Sequence, residues 1–204
     1  HDPVYDVFWI SSKTGNQCAS VSTDGQMMWW DTRRLGEPTD KLLLNTGGAK
    51  GRVLGGSSMA YNTEAGPTKY LVGTEQGVLA GIDLRTGATA WRQVLPEGES
   101  IDSVLLHGRM LATLGISDRG AVVRLWSPQG DMAWDALMPA TGGDGSRPTG
   151  VFTETGIIVG CGGAVVSYHG ASGTEMWSYR WSTGAGARLL ALAPAGESLL
   201  AVAA

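Results

Sequence analysis

The chain has 204 residues, 43% of them hydrophobic and 17% charged, with a formal net charge of −4. It is too apolar for a disordered chain, and it has no basic stripe, which argues against nucleic acid as a partner. Its 31 glycines, roughly double the usual share of about 7%, sit between short apolar runs and imply many tight turns.

The first ten residues, HDPVYDVFWI, read as a strand. They lack the basic flank and apolar stretch of a secretory leader, and because they read as a strand the natural chain is expected to extend upstream. QCASVS then runs into STDGQMMWWD, an Asp-Gly turn at Gly25 between two strands. A longer connection, GEPTDKLLLNTGGAKG, precedes the next such hairpin, TEQGVLAGID, which turns at Gly77. SDRGAVVRLW repeats the layout around Gly120, and a shortened CGGAVV repeats it around Gly163. LLALAPA and SLLAVAA close the sequence as two more strands. No apolar run reaches the 18 or so residues of a membrane helix, and no window keeps helical periodicity free of glycine.

Three segments align without gaps: VLAGIDLRTGATAWRQVL, AVVRLWSPQGDMAWDALM and AVVSYHGASGTEMWSYRW. Each holds a turn glycine (Gly87, Gly130, Gly173) and, four residues on, a tryptophan (Trp91, Trp134, Trp177), at a constant step of 43 residues. A step of about 40 to 45 residues filled with strands is the mark of a β-propeller with four strands per blade. Within one period the strands are SVLLHG, RMLATLGI, AVVRLW and DMAWDALM. The fold class is therefore all-β, a propeller of the WD40 or quinoprotein-like kind, with four to five blades present and the ring incomplete. An open blade flank would leave apolar surface in water, so the polypeptide on its own is expected to be oligomeric or poorly soluble. The recurring tryptophans are expected to be largely buried between blades.

The first blade carries His1, Ser22, Asp24, Trp30 and Asp31. Their spacing resembles that of WD repeats, in which a His, a Ser or Thr, an Asp and a Trp form one hydrogen-bonded chain. The resemblance implies that network for His1, Ser22, Asp24 and Trp30, with the carboxylate fixing the imidazole tautomer. The serine lies inside a strand with its hydroxyl committed, which argues against a hydrolase triad. Gln76, Arg119 and Gly162 stand where Asp24 stands, so the other blades lack the set.

The runs DPVYDVFW, STDGQMMWWDTRRLGEPT and PTKYLVGTEQG resemble the WD-repeat domain of axonemal, outer-arm dynein intermediate chains over about residues 1–78. Beyond that point the HGPIY-like strand and GDWT-type turn expected of that family do not appear. From about 79 to 181, WRQVL, SIDSVLLHG and VVRLW resemble the quinoprotein-like propeller of the largest subunit of the endoplasmic reticulum membrane protein complex. The expected organisation is 1–78 of dynein intermediate chain type and 79–204 of quinoprotein-like type, in one continuous propeller. The first resemblance implies a motor-complex subunit in the cytoplasm, cytoskeleton and ciliary or flagellar axoneme. Its partners would be a dynein heavy chain and other intermediate and light chains. The second implies a luminal scaffold for membrane-protein insertion.

Function is expected in loops, because strand interiors are used in blade packing. The expected partner-binding residues are Asp2, Tyr5, Glu75, Asp118 and Arg119. No catalytic residue, metal site or cofactor is expected, and no direct membrane insertion. The enzyme alternative is a quinoprotein dehydrogenase, which needs a calcium site; Asp102, Asp118, Asp131, Asp135, Asp144 and Glu154 are the available carboxylates, but their offsets are scattered. Cys18 and Cys161, 143 positions apart, read as buried reduced thiols. His107 and His169, each before a turn glycine, read as solvent-facing.

Overall fold

A computed structural model describes residues 2–45, 51–61, 69–83, 88–139, 146–180, 189–195 and 198–203. The strands are β1 (Val4–Trp9), β2 (Gln17–Ser22), β3 (Gln26–Asp31), β4 (Asp40–Leu43), β5 (Gly56–Tyr61), β6 (Lys69–Thr74), β7 (Val78–Asp83), β8 (Ala88–Val94) and β9 (Ser103–His107). They continue as β10 (Met110–Ser117), β11 (Gly120–Trp126), β12 (Met132–Pro139), β13 (Thr149–Phe152), β14 (Gly156–Cys161), β15 (Ala164–His169), β16 (Glu175–Arg180), β17 (Leu189–Ala195) and β18 (Ser198–Ala203). Consecutive strands pair into four four-stranded sheets, β1–β4, β5–β8, β9–β12 and β13–β16, and a two-stranded sheet, β17–β18. This is the up-and-down blade that the 43-residue period predicts. The chain divides into two compact units, His1–Val104 and Leu105–Ala204.

The turn glycines explain why hairpins form where they do. Gly25 and Gly77, between the second and third strands of their sheets, and Gly120, the first residue of β11, have φ of 75°, 65° and 140°, conformations that a Cβ disfavours. In the fourth sheet the left-handed residue is Gly162, at φ 56°, one place before the Gly163 expected. The turn there is a two-residue connection between paired Cys161 and Ala164, and Gly162 is its first residue.

In the first unit, β1–β4 and β5–β8 stack face to face. Ala19, Val21 and Met27 meet Met59, Tyr70, Val72, Ala80 and Ile82 in one buried cluster. Rings close its margin. Tyr70 lies 5.4 Å from Phe8, 5.3 Å from Tyr61 and, edge-on, 5.8 Å from Trp29. Burial pushes the Tyr70 hydroxyl above its ordinary range, and the Trp29 indole offsets this only in part. Neither Tyr70 Oη nor Trp29 Nε1 has a hydrogen bond of standard geometry. Gly56 is needed at the stack, because a Cβ there would overlap the Val21 side chain.

A polar chain crosses the same unit. Asp6 Oδ2 accepts from Met59 N at 2.8 Å and from Ser58 Oγ at 3.3 Å, while Ser58 Oγ accepts from Val104 N at 2.9 Å. Asp6, Ser58 and Val104 belong to β1, β5 and β9, the first strands of three sheets. The buried Ser57 hydroxyl donates to Ile101 O beside them. In the second unit, Leu114, Val123 and Trp134 pack against Ile157, Val159, Val166 and Tyr168. On the far face of β13–β16, Ile158 and Val165 meet Leu192 of β17.

Residues 1–104 are expected to unfold as one cooperative transition in urea, with circular dichroism and tryptophan fluorescence coincident. A fragment ending at residue 78 loses β7 and β8, and with them Ala80 and Ile82. It should show no cooperative transition by either probe.

Candidate interaction surface

The turn of the first sheet ties down the incoming chain. Asp24 Oδ1 accepts from Gln26 N at 2.9 Å, and Oδ2 accepts from Gln26 Nε2 at 3.0 Å and Asp2 N at 3.1 Å. Ser22 Oγ donates to Asp2 O at 3.1 Å. Desolvation would raise the Asp24 carboxyl, but these backbone and side-chain donors win and hold it below its usual range. Ser22, Asp24 and Asp2 therefore form one network.

Trp30 does not belong to it. Its Nε1 donates to Ser20 Oγ at 2.9 Å, not to Ser22. The register explains the difference: Trp30 lies opposite Cys18, so Ser20 is its diagonal neighbour, whereas Ser22 is four residues along the strand, roughly 13 Å away. His1 lies outside the described residues. Asp31 pairs instead with its own turn, Arg33 Nη2 reaching Oδ2 at 2.6 Å and Arg33 Nε reaching Oδ1 at 2.9 Å.

The third sheet repeats the indole–hydroxyl contact, which the sequence reading missed. Trp126 Nε1 donates to Thr113 Oγ1 at 2.9 Å. Trp126 lies opposite Leu111, so Thr113 holds the same diagonal relation to it as Ser20 to Trp30. The signal was a hydroxyl residue in the second strand and a tryptophan late in the third. Comparing only the Asp24 position hid it.

Trp91, Trp134 and Trp177 stand on the fourth strands of three sheets, opposite Gly81, Leu125 and Ser167. Immediately beside each pair the register slips by one residue, leaving Ala90, Ala133 and Met176 unmatched in the ladder. A bulge at the same place in three sheets twists the outer strand identically. Burial, however, is not repeated. Trp134 is 9% exposed: its Nε1 donates to Gly170 O at 2.8 Å, and a Cβ on Gly173, at φ +70°, would come within 2.6 Å of its ring. Trp91 is half-buried, lying across its cross-strand partner Gly81. Trp177 is 43% exposed, against the expectation of burial. The turn that covers Trp134 joins the third and fourth strands of the next sheet; β17–β18, the sheet after Trp177, has no counterpart among the described residues.

Of the expected partner-binding residues, Asp2, Glu75, Asp118 and Arg119 are exposed at hairpin ends, and Tyr5 is 45% exposed on β1. In the first unit three of these ends converge. Glu75 N donates to Gly55 O at 3.1 Å, a Cβ on Gly55 would lie 2.9 Å from Thr23 O, and Asp2 is bonded to Asp24. Asp2, Asp24 and Glu75 thus form an acidic end. Asp118 and Arg119 form the corresponding turn of β10 and β11 in the second unit.

Among the described residues no three His, Cys, Asp or Glu side chains group as metal ligands. Asp102 takes a hydrogen bond from Ser100 Oγ at 2.9 Å, Asp131 caps its turn through Ser127, and Asp144 lies outside the described residues. Neither cysteine forms a disulfide, and both are half-buried. Burial pushes the Cys18 thiol up, and Cys161 Sγ donates to Ser146 O at 3.5 Å. Of the two described histidines, His107 stacks on Phe152 with centroids 6.0 Å apart, and exposed His169 sits 3.1 Å from Ser172 Oγ through Nδ1.

Repeated four-stranded sheets, matched bulges and interlocking apolar faces define a β-propeller scaffold. The chain belongs to the EMC1 N-terminal beta-propeller domain family, whose model matches residues 56–203. Among curated proteins it is 51% identical over 81 residues to ciliary dynein intermediate chain 3 of Heliocidaris crassispina, covering 39% of this chain and 13% of that one. It is 42% identical over 91 residues to human dynein axonemal intermediate chain 2 (44% and 15% covered). It is 36% identical over 104 residues to chicken ER membrane protein complex subunit 1 (49% and 9% covered). The chain therefore spans about a seventh or less of the length of these relatives. Among solved structures, BamB from Moraxella catarrhalis matches at TM-score 0.68 and 14% identity, over 98% of this chain and 61% of that one. The Cps50 (Swd1) propeller domain of Myceliophteria thermophila matches at 0.70 and 16%, over 98% and 62%.

Truncating Trp134 to Ala is expected to cost about 3–5 kcal/mol, and Trp177 to Ala about 1 kcal/mol or less, measured by denaturant unfolding. Equal losses would contradict the difference in their cover. The Asp31 carboxyl, held at about 2 by the Arg33 side chain and backbone donors, should titrate there by NMR. Its folded value is depressed, so its contribution is present above the unfolded range near 3.9 and fades as pH falls through about 2. Arg33→Ala should return it toward the ordinary range.

Proposed function

We propose that the chain acts as a non-enzymatic assembly scaffold, and that its partner is a subunit of the axonemal outer dynein arm. The carrying observation is the 51% identity to a ciliary dynein intermediate chain, in a chain whose expected dynein-like part, residues 1–78, contains the acidic end of Asp2, Asp24 and Glu75. On this reading the protein works in the ciliary or flagellar axoneme, and the hairpin ends hold a heavy chain or a companion intermediate or light chain. Residues 1–78 supply that surface, and 79–204 extend the propeller.

The second reading is a subunit of the ER membrane protein complex. The family match over 56–203 and the 36% identical subunit 1 relative favour it. It places the same scaffold at the endoplasmic reticulum.

A tagged copy of the native gene product separates the two. Enrichment in axonemes, and salt extraction together with the outer arm, is expected. Colocalisation with an endoplasmic reticulum marker would transfer the assignment to the second reading. In extracts of the axonemal fraction, Glu75→Lys with Asp2→Lys should weaken outer-arm co-sedimentation at least tenfold, with thermal unfolding unchanged. Loss that tracks unfolding would refute the acidic end as the contact.

A further inference from the structure

The turn between β2 and β3 carries a chemically labile step. An aspartyl side chain closes most readily onto the next backbone amide when that amide belongs to glycine, whose nitrogen no side chain shields. Asp-Gly occurs twice, at Asp24–Gly25 and Asp144–Gly145, and the second pair lies outside the described residues. The fold draws on both residues of the first pair. Gly25 has a φ of +75°, and a Cβ there would overlap the Val53 side chain. Asp24 caps the turn by accepting from Gln26 N at 2.9 Å. The hairpin is thus built on the labile pair and has to protect it.

We propose that Asp24 is a latent isoaspartate site, held in the aspartyl form by the clasp that fastens Asp2 and opened when residue 2 comes away. In the reaction the Gly25 nitrogen bonds to Asp24 Cγ and gives up its proton, and one side-chain oxygen leaves as water. Water then adds back to the succinimide. Opening on the backbone-carbonyl side gives isoaspartate, in which the chain runs through Cβ and the composition is unchanged. The hydrogen bonds oppose the first step at both reacting groups. Gly25 N donates to Ser22 O at 3.1 Å. Asp24 Oδ1 accepts from Gln26 N, and Oδ2 accepts from Gln26 Nε2 and Asp2 N, so whichever oxygen leaves takes at least one of these bonds with it. Desolvation raises the Asp24 carboxyl, but its donors outweigh this and hold it below its usual range. That thins the protonated acid, the form that loses water. Asp2 N comes from outside the hairpin, and Ser22 Oγ keeps it in place by donating to Asp2 O at 3.1 Å. Isoaspartate would lengthen the turn by one backbone atom and move the carboxylate to another carbon, so the clasp would not re-form. The product is the group that isoaspartyl carboxyl methyltransferases take, with S-adenosylmethionine as methyl donor.

The test follows isoaspartate in the tryptic peptide Thr14–Arg33, by electron-transfer fragmentation, after incubation of the full chain at mildly acidic pH. Asp24 should isomerise at least tenfold more slowly in the native chain than in the same chain held in guanidinium chloride. Asp2→Pro, which deletes the N–H donor, should speed the native reaction at least threefold. Asp2→Ala keeps that donor and should leave the rate unchanged. Ser22→Ala, which frees Asp2 O, should act in the same direction as Asp2→Pro, with melting curves confirming that each variant is folded. Equal rates in the native and denatured chains overturn the proposal. It is overturned as well if Asp2→Pro and Ser22→Ala both isomerise no faster than Asp2→Ala.

Discussion

A sheet of four short antiparallel strands has two apolar faces and no means of burying either by itself. Every other feature follows from that constraint. In the first unit, Ala19, Val21 and Met27 on one sheet need Met59, Val72 and Ile82 on the next. The polar groups at the contact have to be satisfied as the sheets close, and the string from Asp6 through Ser58 to Val104 N does this along the first strands. Glycine at position 56 is a consequence of the same contact, since Val21 occupies the space a side chain would need. The stacking selects apolar residues inside, with Arg124 of β11 the one buried Asp, Glu, Lys or Arg among the described residues.

The architecture was legible because that constraint writes a period into the sequence. The 43-residue spacing of Trp91, Trp134 and Trp177 marks a bulge repeated in three sheets, and the strands of β9 to β12 fall where the apolar runs lie. Burial was not legible, because it depends on the cover supplied by the neighbouring blade. Trp134 and Trp177 are alike in strand, register and bulge, yet one lies under the Gly170–Gly173 turn and the other does not. The partner of Trp30 was hidden for a related reason. Motif spacing gives the residues of a network, whereas cross-strand register decides which hydroxyl an indole reaches, and Ser20 is nearer than Ser22. Asp6, in the apolar run VYDVFW, was the overlooked sign of a buried polar link.

The two resemblances meet inside a sheet. The family match begins at Gly56, the first residue of β5, whereas the dynein-like character is expected to reach Val78, the first residue of β7. Strands β5 and β6 are thus compatible with both. β6 and β7 pair in continuous register from Lys69 with Asp83 to Gly73 with Leu79, and Val78 and Leu79 are buried. Physically this is unsurprising: ladder hydrogen bonds are made by the backbone, and the faces need only apolar side chains of fitting size. The seam expected near Val78 would require only side chains of fitting size on both faces of β7, since Val78 to Ile82 are all buried.

That tolerance separates what the fold says from what function needs. Solved propellers only 14–16% identical superpose on nearly the whole chain, so the blade geometry carries no information about partners. Partner choice has to reside where the stacking rule is silent, at hairpin ends and uncovered edges. In the first unit those places differ in chemistry: the turns of Asp24 and Glu75 are acidic, and the exposed side chains of Val7 and Trp9 on β1 are apolar. An acidic end steers a basic partner and loses strength with salt, whereas exposed apolar side chains contribute through burial, which salt leaves nearly untouched.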